Sequence, residues 1–252
     1  MKTLIAFDLD GTLAPSKQAM PPALAEGLAD LLDRVEVAVI SGGDWPQFER
    51  QLVPSLPARA ARNRLWLMPT SGTKLYRFSD RWTPAYAEML TSDERRAIIA
   101  AFEASLAATG LGVDRTWGET VEDRGSQITF SALGQDAPLE EKQRWDPDFA
   151  KRKVIQADLA LRLPGFGINL GGTTSVDVTR KGVDKAYGLK KLSAVTGVAL
   201  DEMIFVGDAV FPGGNDYPAK ALGVDTIRVR DPEESLTVIS TIIACFGKGA
   251  GG

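Results

Sequence analysis

TLIAFDLDGTLAP, residues 3–15, runs from an apolar tetrad straight into two aspartates one residue apart and then a glycine. Leu4, Ile5, Ala6 and Phe7 suit a short strand buried on both faces of a parallel sheet. Asp8 and Asp10 arrive where that strand ends. Ligands of open α/β sheets bind at that edge, so two carboxylates there are placed for chemistry.

Reading outward, the first part alternates strand and helix. Pro21 and Pro22 precede helical apolar spacing at Leu24, Leu28, Leu31 and Leu32, and Val35–Ile40 reads as a second buried strand. SGGD, residues 41–44, follows as a tight turn whose Asp44 caps a helix running through Gln51. Strands are expected at Leu65–Met68 and Lys74–Phe78. The same alternation returns late in the chain, with a helix near Lys185–Val195, a strand at Met203–Val206, the loop GDAVFPGGND from Gly207, a strand at Thr226–Val229 and a last helix. Between residues 81 and 183 the pattern changes. Thr91 and Glu94 have capping-box spacing before a helix with Ile98, Phe102 and Leu106 on one face, stopped by Gly110. Glu119–Asp123 pairs with Gln127–Leu133 around Arg124 and Gly125, Asp146 and Pro147 start a second helix ended by Pro164 and Gly165, and GINLGGTTSVDV turns on Gly171 and Gly172. The expected fold is therefore α/β, a Rossmann-like doubly wound parallel-sheet core over 1–80 and 184–246, with an α+β cap domain inserted at 81–183 and a flexible tail at 247–252.

Composition narrows the class. A chain of 252 residues, 44% of them hydrophobic, buries a full core. The apolar run Leu236–Phe246 is too short to cross a bilayer, and the start lacks the apolar stretch and cleavage site of a signal peptide. A single cysteine, Cys245, excludes an intramolecular disulfide, which together with the plain start favours the cytoplasm. A net charge of −4 argues against a nucleic-acid partner. With no histidine in the chain, proton transfer falls to a carboxylate, lysine, tyrosine or water.

Asp8, Ser41, Lys185 and Asp208 all follow or open core elements. Phosphoryl transfer spreads charge over three equatorial oxygens, and this set supplies what such a reaction needs. Asp8 attacks phosphorus and forms an aspartyl-phosphate; Ser41 and nearby amides, Gly42 among them, donate to a phosphoryl oxygen; Lys185 neutralises another. Asp8 and Asp208 hold Mg²⁺, a hard ion that takes oxygen ligands. Asp10 is left for acid–base work, its backbone carbonyl joining the metal ligands while Gly11 lets the chain turn away. Asn215 and Asp216 either orient the metal ligands or cap a helix.

DLDGTL, VISGG, GVDKAYGLKKL and FVGDAVFPGGND, in that order, resemble the four motifs of the haloacid dehalogenase superfamily, in the branch with an α/β cap between the second and third motifs. PGGND and TTSVDVTRKGVDK look most like the eukaryotic-type phosphomannomutases. That resemblance implies substrate-binding roles for Arg124, Ser175 and Asp177, the last two on one strand face. It also marks departures: Lys17, Gln135 and Lys142 stand where the family has arginine, and Arg180 and Lys181 replace uncharged or acidic positions. Bidentate arginine suits the two-way grip a mutase needs on a bisphosphate. The expected function is thus a Mg²⁺-dependent phosphatase of a small phosphorylated metabolite, a sugar phosphate, working as monomer or homodimer without membrane or nucleic acid; a hexose phosphate mutase is the alternative and a non-catalytic sugar-phosphate binder a third.

Overall fold

The strand that opens the chain lies in the middle of a sheet, because its residues alternate between two apolar faces that both need covering. The computed structural model describes residues 1–246; the expected flexible tail at 247–252 lies outside the described residues. In chain order the elements are β1 (Leu4–Phe7), α1 (Pro22–Leu32), β2 (Glu36–Ile40), α2 (Trp45–Gln51), β3 (Leu65–Met68), β4 (Lys74–Phe78), β5 (Trp82–Ala87), α3 (Ser92–Thr109), β6 (Val121–Asp123), β7 (Gln127–Ser131), α4 (Leu139–Trp145), α5 (Ala150–Arg162), β8 (Phe166–Gly171), β9 (Ser175–Arg180), α6 (Lys185–Thr196), β10 (Met203–Gly207), α7 (Tyr217–Ala221), β11 (Asp225–Arg228) and α8 (Pro232–Cys245). They form two compact units, Met1–Ala87 with the segment from Asp184 onward, and Glu88–Val183.

The first unit holds a 7-stranded sheet ordered β11-β10-β1-β2-β3-β4-β5, parallel from β11 to β3 and antiparallel at β4 and β5. Ile5, Phe7, Val37, Val39, Leu65 and Leu67 face α1 and α8, while Leu4, Ala6, Ala38, Ile40 and Met68 face Leu189 and Leu192 of α6 and Ala219 of α7. This period-2 division, with helices on both faces, is the doubly wound α/β architecture. The expected boundary at residue 81 falls before β5, which pairs along β4 and belongs to this sheet. Asp44 occupies the N-cap position of α2 but makes no side-chain cap; its carboxylate accepts from Lys74 Nζ at 2.6 Å instead, since a buried ammonium competes better for a carboxylate than a backbone amide does.

The insert is built on an antiparallel sheet ordered β6-β7-β9-β8. One face carries Ile128, Phe130, Val176 and Val178 beneath Ile98 and Phe102 of α3 and Ile155 and Leu159 of α5. The alternate residues Gln127, Thr129, Ser131, Ser175 and Asp177 form the opposite, polar face. The capping box at Thr91 and Glu94 is present, and α3 ends at Gly110 in the left-handed region (φ 66). Two details differ from expectation. Leu139–Trp145 forms a short extra helix, and α5 begins at Ala150, with Asp146 reaching forward to accept from the amides of Lys151 and Arg152. Among the described residues no helix is long and apolar enough to cross a membrane.

Candidate active site

Parallel pairing of β1 with β2 and β10 brings the residues that follow these strands to one sheet edge. Asp8, Ser41 and Asp208 are those residues, and the amide of Asp8 continues the ladder by donating to Val206 O at 2.9 Å. Lys185 enters from α6, whose first turn is fixed by Asp184 accepting from Tyr187 N at 2.9 Å. Only 2% exposed, Lys185 Nζ donates to Asp8 Oδ1 and to the Ile40 carbonyl, and lies 3.4 Å from Asp216 Oδ1. One ammonium thus ties the ends of β1 and β2 together and fixes the rotation of the Asp8 carboxylate.

Three carboxylates face that one lysine. An oxygen from each of Asp8, Asp208 and Asp216 lies within 4.8 Å of the others. Burial pushes the Asp8 carboxyl up to about 8 against the pull of Lys185, with Asp216 and Asp208 adding to the rise. Burial and then Asp216 push Asp208 up to about 6. Asp216 is fully buried; its Oδ2 accepts from Ala209 N at 3.1 Å while no hydrogen bond satisfies Oδ1. Such a buried excess of negative charge, all of it hard oxygen and partly unsatisfied, fits a divalent magnesium-type ion. Two glycines make this crowding possible. A Cβ on Gly11, at φ +80, would overlap Asp208 Oδ2, and one on Gly207 would overlap Asp216 Oδ2.

Of the residues expected from sequence, Asp8, Asp208 and Lys185 meet here, and the Ser41 turn adjoins them through Ile40. Ser41 Oγ accepts from Gly43 N at 3.1 Å, which leaves its own proton to donate, and Gly42 sits between the two. The Asp10 carboxylate stands outside the acidic trio, held by Gln47, Gln51 and the amide of Lys17. Asp216 takes the third corner. It occupies the N-cap position of α7 but makes no side-chain cap there. Gln47 and Gln51 are not recognisable from sequence, because glutamines four apart on a helix carry no signature by themselves.

Within the insert, Ser175 and Asp177 lie on β9 beside β7. Thr129 Oγ1 donates to Asp177 Oδ1 at 2.7 Å, Ser131 and Ser175 share a hydroxyl contact of 3.0 Å, and Arg124 Nη2 pairs with Glu122 at 2.6 Å. Burial raises the Asp177 carboxyl, with the charge of Arg124 opposing. Gln135 Nε2 donates to Ser131 Oγ at 3.0 Å, and the buried Lys142 donates to the Gln135 carbonyl at 2.8 Å. Arg180 pairs with Glu94 at 2.8 Å.

Sequence comparison with known proteins points to one family. A sequence model of eukaryotic phosphomannomutase matches residues 24–244, so it begins beyond Asp8 and Asp10, whose placement rests on their own geometry. The Schizosaccharomyces pombe phosphomannomutase is 28% identical over 230 residues, 86% of this chain and 84% of that protein. Human phosphomannomutase 1 is 28% identical over 222 residues, 86% of this chain and 82% of its own. In three dimensions the chain is similar to N-terminally truncated IMP-nucleotidase of Plasmodium falciparum, with TM-score 0.72 at 17% identity over 96% of this chain and 70% of the other. A haloacid dehalogenase-like hydrolase from Bacteroides thetaiotaomicron superposes with TM-score 0.61 at 15% identity over 96% and 100% of the two chains. At these identities the structural likeness speaks for the fold.

Proposed function

The chain belongs to the eukaryotic phosphomannomutase family, and from that premise we propose that it is a hexose-phosphate phosphomutase working through an aspartyl-phosphate on Asp8. The observation that carries this reading is the buried Lys185–Asp8 pair set among Asp208 and Asp216 at the carboxyl edge of the parallel strands. Asp8 attacks one phosphorus of the bound hexose bisphosphate, its carboxylate aligned by Lys185. The P–O bond to the sugar breaks, and Asp10 supplies the proton that the departing oxygen needs. In the return half, Asp10 takes the proton of a second sugar hydroxyl, which attacks the phosphoryl group on Asp8 and releases the carboxylate. Lys185 and the Ser41 hydroxyl stabilise charge on the phosphoryl oxygens throughout. Asp8, Asp208 and Asp216 would hold Mg²⁺, which when bound supplies further positive charge to the same oxygens. Arg124, Ser175 and Asp177 are assigned to the non-reacting part of the sugar phosphate.

One observation favours a second reading, hydrolysis. Gln135 and Lys142, which stand where the family has arginines, are engaged with the insert's own Ser131 Oγ and Gln135 carbonyl, and neither offers the planar fork that grips a distal phosphate. Incubation with mannose 1-phosphate and a catalytic amount of hexose bisphosphate, measuring isomerised sugar and free phosphate together, separates the two. Isomer forming faster than phosphate is the expected outcome. Phosphate release without isomer, indifferent to the bisphosphate, overturns the mutase in favour of the phosphatase, and saturable binding without either product overturns both.

A further inference from the structure

We propose that Gln47 and Gln51, one turn apart on α2, are positioning residues that clamp the carboxylate of Asp10; the proposal rests on the acid–base reading of Asp10 given above. Gln47 Nε2 donates to Asp10 Oδ2 at 2.6 Å, and Gln51 Nε2 donates to Oδ1 at 3.0 Å, where the amide of Lys17 joins it at 3.0 Å. Both oxygens are therefore held, each by a glutamine amide.

The manner in which Gln51 is held argues for a role beyond packing. Its side chain is 1% exposed, and its Nε2 also donates to Gln18 O at 2.8 Å. Its Oε1 is buried with no partner. A buried unsatisfied carbonyl costs stability that an apolar side chain of the same volume would not incur. Turning the amide over would set Oε1 against a carboxylate and a carbonyl, so the nitrogen end must face Asp10. The residue thus forgoes one hydrogen bond to keep the other in place.

Gln47 has its own accommodation. A Cβ on Gly43 would overlap Gln47 Oε1, so the second glycine of the SGG turn leaves the room through which the glutamine reaches Asp10.

The test compares a hexose phosphate, whose alkoxide leaves poorly, with p-nitrophenyl phosphate, whose leaving group needs little protonation. Gln47→Met and Gln51→Met are each expected to lower kcat on the hexose phosphate by up to about 100-fold, the loss that a misplacement of about 1 Å brings. KM and turnover of the aryl ester should stay within about twofold, and neither substitution should add to the loss of Asp10→Asn when combined with it. Equal losses on both substrates, or additive losses in the Asp10→Asn background, overturn the clamp. An Asp10→Asn variant without leaving-group selectivity overturns the acid–base reading and the clamp with it, a different signature. Because Gln51 is buried, Gly43→Ala provides an independent arm: it displaces Gln47 alone and should reproduce the selective loss, and unaltered hexose phosphate turnover in that variant counts against the proposal.

Discussion

In the core, Lys185 faces three carboxylates, and one of their oxygens is left without a hydrogen bond. In the insert, Arg152 is buried just as deeply, yet Asp146 answers it at 2.6 Å, and the Gly171 and Gly172 carbonyls of the β8–β9 turn take its Nη1. The first arrangement leaves negative charge to be completed from outside. The second completes itself and ties helix α5 to a hairpin. Uncompensated burial is what the proposed binding of a cation and a phosphoryl group would complete, whereas compensated burial suits a scaffold.

Substitutions break this comparison in opposite ways. Asp8→Asn should abolish turnover on every phosphate ester while leaving metal-free stability unchanged or higher, because it removes a buried charge the fold must otherwise carry; steady-state kinetics and urea unfolding in EDTA check the two halves. Appreciable turnover in a clean preparation would take the nucleophile's role from Asp8. Arg152→Met should do the reverse. It strands Asp146 in a buried site at a cost of about 3–5 kcal/mol in urea unfolding, yet below the unfolding transition the aryl phosphate should still be hydrolysed normally.

The effects of pH are smaller and differ in sign. Asp8 at about 8 and Asp208 at about 6 are raised, so the folded core retains protons that the unfolded chain has released. Metal-free stability should therefore fall as pH rises from about 4 towards 8, and added Mg²⁺ should raise the midpoint more at pH 8 than at pH 5. A Mg²⁺ shift independent of pH would mean that the ion binds elsewhere. In the insert, the Arg180 guanidinium and then the Thr91 amide hold Glu94 down at about 2. Its contribution is present above its ordinary value near 4.5 and is lost as pH falls towards 2, so Glu94→Gln should flatten that acid limb of the unfolding curve.

Much of the core was legible because local chemistry and global position agree there. Leu65–Met68 and Lys74–Phe78 form strands over the residues that their apolar character indicates, and β1 ends where its tetrad meets Asp8. The insert was less legible. Asp146 was expected to open the second helix at its own position, but its carboxylate caps α5 from further back and pairs with Arg152 as well, and the polar stretch before it folds into α4. Asp44 and Asp216 both have N-cap chemistry in sequence and both spend their carboxylates elsewhere, on Lys74 and on Ala209 N.

By itself, then, the amino-acid order determined the alternation of strands and helices, the interruption by an insert, and which of its aspartates and lysines stand at element ends. Those follow from apolar periodicity and turn residues, which act over a few positions. Only the tertiary structure decided that Asp216 rather than the Asp10 side chain completes the acidic trio, and that two glutamines hold the Asp10 carboxylate. The physical reason is reach. Asp8 and Lys185 lie 177 positions apart, and no local preference can report which distant donor will be buried against a carboxylate until sheet register and helix docking have brought the two together.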